Sequence, residues 1–205
     1  MRILPAGGAF CGGAVPTEGY EIVHALLAEW VPLADAWGLI ERHLQHIGRP
    51  VQALCGMELR SPEQLTPEGF RAFNAPYIAE LRKRELVVGN YSAVCRTNVV
   101  PATEPPKRPM VHAFSYSQPS SAALKTFCIS GAADLDSHGD IVAPGNTSPA
   151  GMRERLAHCV EAIGERLEQL DLNWKEVTHI DVCLAHEAGA ALDELLRRPP
   201  QGAVP

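Results

Sequence analysis

"IERHLQHIGRPVQALCGMEL", Ile40–Leu59, and "IGERLEQLDLNWKEVTHIDVCL", Ile163–Leu184, each run from an amphipathic helical pattern through a turn into a short apolar run, with another helical pattern afterwards. In the first, Trp37, Ile40, Leu44 and Ile47 recur at helical spacing from Leu33 onward, and Gly48 with Pro50 supplies the stop. The apolar run Val51–Leu59 then suits a buried strand. In the second, Ser148 stands as N-cap and Pro149 as the first helical residue. Met152, Leu156, Cys159, Val160, Ile163, Leu167 and Leu170 form its apolar stripe, and Val177–Ala185 reads as the strand. Units of this kind pack their helices against a shared sheet, so the repeat predicts an α+β or mixed α/β fold.

The remaining chain is consistent with that class. "GYEIVHALL", Gly19–Leu27, fits either a strand or a short helix. Thr66 is a suitable N-cap with Pro67 behind it, and Phe70, Phe73, Tyr77 and Leu81 make one helix face with Asn74 beside it. Tyr91–Val100 alternates as a strand, Arg96 and Asn98 on one side, Cys95 and Thr97 on the other. "PATEPPKRP", 101–109, is either a domain linker or a long hairpin connection. Met110–Gln118 and Lys125–Gly131 read as strands and Ala188–Arg198 as a last helix. Residues 1–18 read as a flexible arm, 19–198 as one domain and 199–205 as a frayed tail.

A chain of 205 residues, 46% hydrophobic, buries a substantial core. Its net charge of −6 argues against nucleic acid or anionic membrane as a partner, since both reward clustered Lys and Arg. No apolar run reaches the roughly 20 residues of a membrane helix. The glycine-rich start, interrupted by Pro5, reads as an arm of a cytoplasmic protein and not as a signal peptide. The six cysteines form no C-x-x-C pair, and four of them sit in apolar runs, which predicts buried reduced thiols.

Arg96 carries most chemical information. A guanidinium in the middle of an apolar strand keeps its charge and needs an acceptor. Two readings stand: an internal ion pair or an arginine reaching the sheet edge, and capture of a substrate carboxylate by a planar two-pronged donor, with Asn98 adding a polar contact. Asp134, Asp136 and Asp140 resemble a calcium loop around Gly139, but its twelfth position is Gly145 where a bidentate glutamate is required, so a solvated turn is the reading. His43 and His46 have no third ligand in sight, and no metal is predicted. No G-x-S-x-G elbow and no phosphate loop occur.

The segment Thr126–His186 resembles the RidA (YjgF/YER057c/UK114) family. The likeness rests on a strand ending in Ser130-Gly131, a "GDIV" turn, a long helix, and "Leu-Asn-Trp-Lys-Glu-Val" leading to a strand. Tyr116-Ser117-Gln118 resembles that family's early Tyr-x-Gln. "CGMELRSPEQLTPEGFRAFNAPYIAEL" with Asn74 and Tyr77, and "YSAVCRTNVVP" with Arg96, resemble its second helix and arginine strand. The matching parts come in permuted order, 19–100 resembling the second half of the fold and 110–198 the first, with one unit partly duplicated.

The resemblance implies a chorismate-mutase-like mixed sheet with helices on one face, a homotrimer, and hydrolysis of a carboxylate-bearing enamine or imine, aminomuconate among them, to a keto product and ammonia. It implies no metal or organic cofactor. By resemblance Arg96 clamps the carboxylate, Tyr116 lines the pocket, and His112 lies near the place of the family's closing glutamate. Asn74, Asn98, Ser130 and Gly131 contact substrate. Asn98 and Ala132 stand where the family has Cys and Gln. A small-acid-binding protein without catalysis and a chorismatase-like hydrolase are the other two readings.

Overall fold

The structure is a computed structural model that describes residues 1–7, 10–122 and 125–197. The chain divides into two compact units, Met1–Ser130 and a second beginning at Gly131. The division therefore falls neither at the proline-rich 101–109 connection nor outside 19–198, where a single domain was expected.

The presumed arm is part of the sheet. β1 (Arg2–Pro5) pairs antiparallel with β2 (Cys11–Val15), and Cys11 and Ala14 are buried. Glycine content disguises β2, yet a Cβ on Gly12 would stand 3.3 Å from the Leu4 side chain and carbonyl, so the absence of side chains permits the close approach. The ambiguous segment that follows is a strand, β3 (Tyr20–Pro32). Next come α1 (Leu33–His46), a 3₁₀ turn at Val51–Ala53, β4 (Leu54–Arg60) and α2 (Pro67–Lys83).

The Tyr91–Val100 strand is interrupted. β5 (Val87–Val88) and β6 (Tyr91–Ser92) form a separate small hairpin, and β7 is Cys95–Val99. Between them the Val94 N–H donates to Ser92 Oγ and the Ala93 N–H to the Leu86 carbonyl, which takes both from any ladder. β8 (Met110–Pro119) follows, and the expected Lys125–Gly131 strand contracts to β9 (Cys128–Ile129). The main sheet runs β1-β2-β7-β4-β8-β3, with β9 also on β2. β4 lies parallel to β7 and antiparallel to β8. The 101–109 connection thus joins strands on either side of β4 and is neither a linker nor a hairpin turn.

One cluster seals this unit: Trp37, Ile40 and Leu44 from α1, Tyr77 and Leu81 from α2, and Met57, Leu59, Phe114 and Tyr116 from the sheet. A second gathers Cys11, Ala14, Cys55 and Cys95. All six cysteines are free thiols.

In the second unit, Ser148 Oγ accepts from the Gly151 N–H and caps α3 (Pro149–Gln169) as its sequence predicts. Met152, Leu156 and Val160 pack with Ala188 and Ala191, the latter from α4 (Ala190–Leu196). The expected Val177–Ala185 strand has no sheet ladder among the described residues. Its Val182 and Leu184 pack against the α3 cluster, so the two sequence repeats end in different structures. A β4-like run becomes a strand only between partners, and β7 and β8 provide them for β4. The acidic loop is a self-bonded turn in which Asp136 Oδ1 accepts the His138 and Asp140 N–H groups, lowering the carboxyl pKa through those bonds. The expected tail, 199–205, lies outside the described residues, as does the end of the last predicted helix. No described helix is long and apolar enough to cross a membrane.

Candidate active site

α2 begins where Thr66 Oγ1 accepts from the Gly69 N–H at 3.1 Å. Phe70, Phe73, Asn74 and Tyr77 then follow at spacings of three, one and three, which places all four on one face. β7 brings Arg96 up to that face. Its guanidinium carbon lies 4.6 Å from the ring centre of Tyr77, 5.6 Å from those of Phe73 and Phe10, and 5.8 Å from that of Phe70. A charged group is thus enclosed by four aromatic rings.

These contacts offset part of the cost of burial, since each cation–π contact contributes about 0.5–2 kcal/mol. They leave one N–H donor unsatisfied. Arg96 Nη1 is buried without a hydrogen-bond partner among the described residues, and no described carboxylate pairs with the group. Nearby acids are engaged elsewhere: Glu58 faces Arg60 at 3.7 Å and His24 at 3.5 Å, and Glu80 pairs with Arg84. Burial lowers the Arg96 pKa, with the Tyr77 hydroxyl acting in the opposite sense. The guanidinium nevertheless stays protonated. Tyr77, 4% exposed, donates to Met57 Sδ, and burial pushes its pKa well up. The internal ion pair considered for Arg96 is therefore not formed.

A second unsatisfied atom belongs to Asn74, which is 4% exposed. Its Nδ2 donates to the Phe70 carbonyl at 2.7 Å, which fixes the amide orientation and leaves Oδ1 buried without a partner among the described residues. α2 and β7 thus each carry one buried polar atom without a partner among the described residues, an acceptor on Asn74 and a donor on Arg96. Ser130 works through the backbone: its hydroxyl donates to the Cys11 carbonyl and accepts the Arg96 N–H at 3.2 Å, tying the chain after β9 to β2 and β7.

The other expected site residues lie elsewhere. Asn98 Oδ1 accepts from Ser61 Oγ at 2.6 Å. Tyr116 is in the core, stacked on Phe114 with His43 edge-on, and is not among the rings around Arg96. His112 occupies a bulge, skipped where Glu58 pairs with Ala113 and Leu59 with Val111, and its Nδ1 accepts from Trp30 Nε1 at 3.0 Å. The Gly131 carbonyl accepts from Arg166 in the second unit. Sequence reasoning placed Phe70, Phe73 and Tyr77 on one helix face without linking them to Arg96, and missed Phe10 altogether. Their helical spacing beside an unpaired strand arginine was the available signal.

A model of one family, described as 2-aminomuconate deaminase CnbZ, matches residues 1–203. The chain belongs to that family. It is also 34% identical, over 205 aligned residues covering 96% of this chain and 82% of the relative, to the 2-amino-5-chloromuconate deaminase of Comamonas testosteroni. No solved structure matches the chain significantly.

Proposed function

We propose that this protein is a hydrolytic deaminase for 2-aminomuconate or a close relative, with Arg96 binding the carboxylate beside the amino-bearing carbon. The supporting observation is the buried guanidinium with an unpartnered Nη1 in a ring of four aromatics. A carboxylate there would form a charge-assisted, two-pronged pair in a site of low dielectric. Asn74 Oδ1 would accept an N–H of the substrate's amino group. In the reaction, a proton moves from the enamine nitrogen to carbon, giving the imine. Water adds to the imine carbon, the carbinolamine C–N bond breaks, and ammonia leaves a keto acid. The imine is already electrophilic, so holding it by its carboxylate supplies much of the rate through positioning alone.

The reading includes the RidA likeness, with β4, α2 and β7 matching one half of that fold and β8, β9 and α3 the other, and with it a cytoplasmic homotrimer. Sedimentation velocity checks the trimer; a monomer would remove that part. The activity test is ammonia release from freshly generated 2-aminomuconate. Arg96→Ala lowers kcat/KM about 100-fold or more, the worth of a lost bidentate charged pair, and Arg96→Lys recovers only part. Equal rates for wild type and Arg96→Ala contradict the proposal. Binding of small carboxylates by a wild type that releases no ammonia would favour the non-catalytic reading.

A further inference from the structure

The rings around Arg96 divide by exposure. Tyr77 is buried and belongs to the core, and Phe73 packs against that core. Phe10 and Phe70 belong to neither description: Phe70 is 39% exposed, Phe10 is half-buried, and neither is part of the core cluster. What sets these two rings apart is that they stack on each other beside the Arg96 cation.

The Phe10 and Phe70 ring centres are 6.1 Å apart with planes inclined by only 24°, and the Arg96 guanidinium lies within 5.8 Å of both. Two nearly parallel π faces thus stand at the outer side of a cation whose free donor takes a carboxylate. A saturated carbon chain attached to that carboxylate would gain only apolar contact from them. A flat conjugated chain gains stacking as well, because delocalised electrons over a planar skeleton match an aromatic face.

We infer that Phe10 and Phe70 are specificity-determining residues that select planar, conjugated carboxylates over saturated ones of equal length and charge. The inference rests on Arg96 as the carboxylate clamp. It adds that discrimination resides in two rings from distant parts of the chain, one ahead of β2 and one in the first turn of α2.

The test compares binding of trans,trans-muconate and adipate by calorimetry. Both are linear dicarboxylates of the same carbon count, so attraction to Arg96 is shared; they differ in planarity and rigidity, and the ring variants isolate the contribution of the π faces. Wild type binds muconate at least about tenfold more tightly than adipate. Phe10→Leu and Phe70→Leu, which keep an apolar side chain but remove the π face, each reduce that ratio, and the double variant brings it to about twofold or less, with adipate affinity little changed. Phe70 is exposed, so its replacement does not endanger folding. An equal affinity of wild type for the two acids, or an undiminished ratio in the double variant, overturns the inference. Ammonia release separates this from failure of the deaminase reading. Turnover that depends on Arg96 with no preference for muconate removes the ring selectivity alone, whereas a wild type that neither turns over nor binds either acid removes both.

Discussion

Arg96 and Asn74 present a donor and an acceptor that have no partner among the described residues, and the two make different predictions. Replacing Asn74 by leucine forfeits the hydrogen bond to the Phe70 carbonyl, about 1 kcal/mol, but also removes a buried unsatisfied oxygen that costs about 1–3 kcal/mol. Stability in urea should therefore change little or rise, while kcat/KM for ammonia release falls at least about tenfold through loss of the amino-group acceptor. A residue that served only packing would show the reverse pattern. Ser130 is a positioning residue, because it holds the Arg96 main chain and touches the Cys11 carbonyl. Ser130→Ala leaves both groups short of a partner, so it should cost about 1–3 kcal/mol in urea denaturation and raise KM more than it lowers kcat.

At the level of elements, α2 delivers three of the four rings, and its start is held by Thr66. Thr66→Ala should cost about 1 kcal/mol of stability and weaken muconate binding, since Phe70 lies in the first turn it caps. The same helix passes through Pro76, which lacks the N–H for the Ala72 carbonyl, a local fault costing about 3 kcal/mol in an ordinary helix interior. Such exceptions gather at functional sites. The start of α2 was legible in the sequence because a cap and an N1 proline act locally. So were α1, the start of α3 and the helical face of Phe70, Phe73 and Tyr77. What could not be read was Phe10, whose role depends on β2 entering the sheet beside β7, a pairing of segments more than eighty residues apart. The glycines that allow that entry look, in sequence, like a loop. The Val177–Ala185 run failed for the opposite reason: its local pattern is that of a strand, but strands require partners that local pattern does not reveal.

At the scale of the whole molecule, a fold of helices on a shared sheet followed from the alternation of helical and strand patterns, whereas the division after Ser130 did not, since proline at 101–109 gave a stronger local signal than anything at residue 130. The thiol cluster under the sheet links the fold to pH. The hydrogen bond between Cys11 and Cys95 lowers the first thiol and raises the second, so that pair acts in both directions, whereas burial raises Cys55 well above the ordinary thiol value of 9.0 and burial raises Tyr77. Cys55 and Tyr77 stay protonated in the folded state after the unfolded chain has ionised. Their contribution is full below about pH 9 and is lost as pH rises further, so the urea midpoint should hold steady from about pH 7 to 8.5 and fall above 9, less steeply in Cys55→Ala. The central claim concerns the cage, and its most direct test is a crystal structure of the protein soaked with trans,trans-muconate. The account predicts one carboxylate within hydrogen-bonding distance of the Arg96 guanidinium, with the diene lying against Phe10 and Phe70. A carboxylate bound elsewhere, with Arg96 still enclosed by its four rings alone, would contradict it.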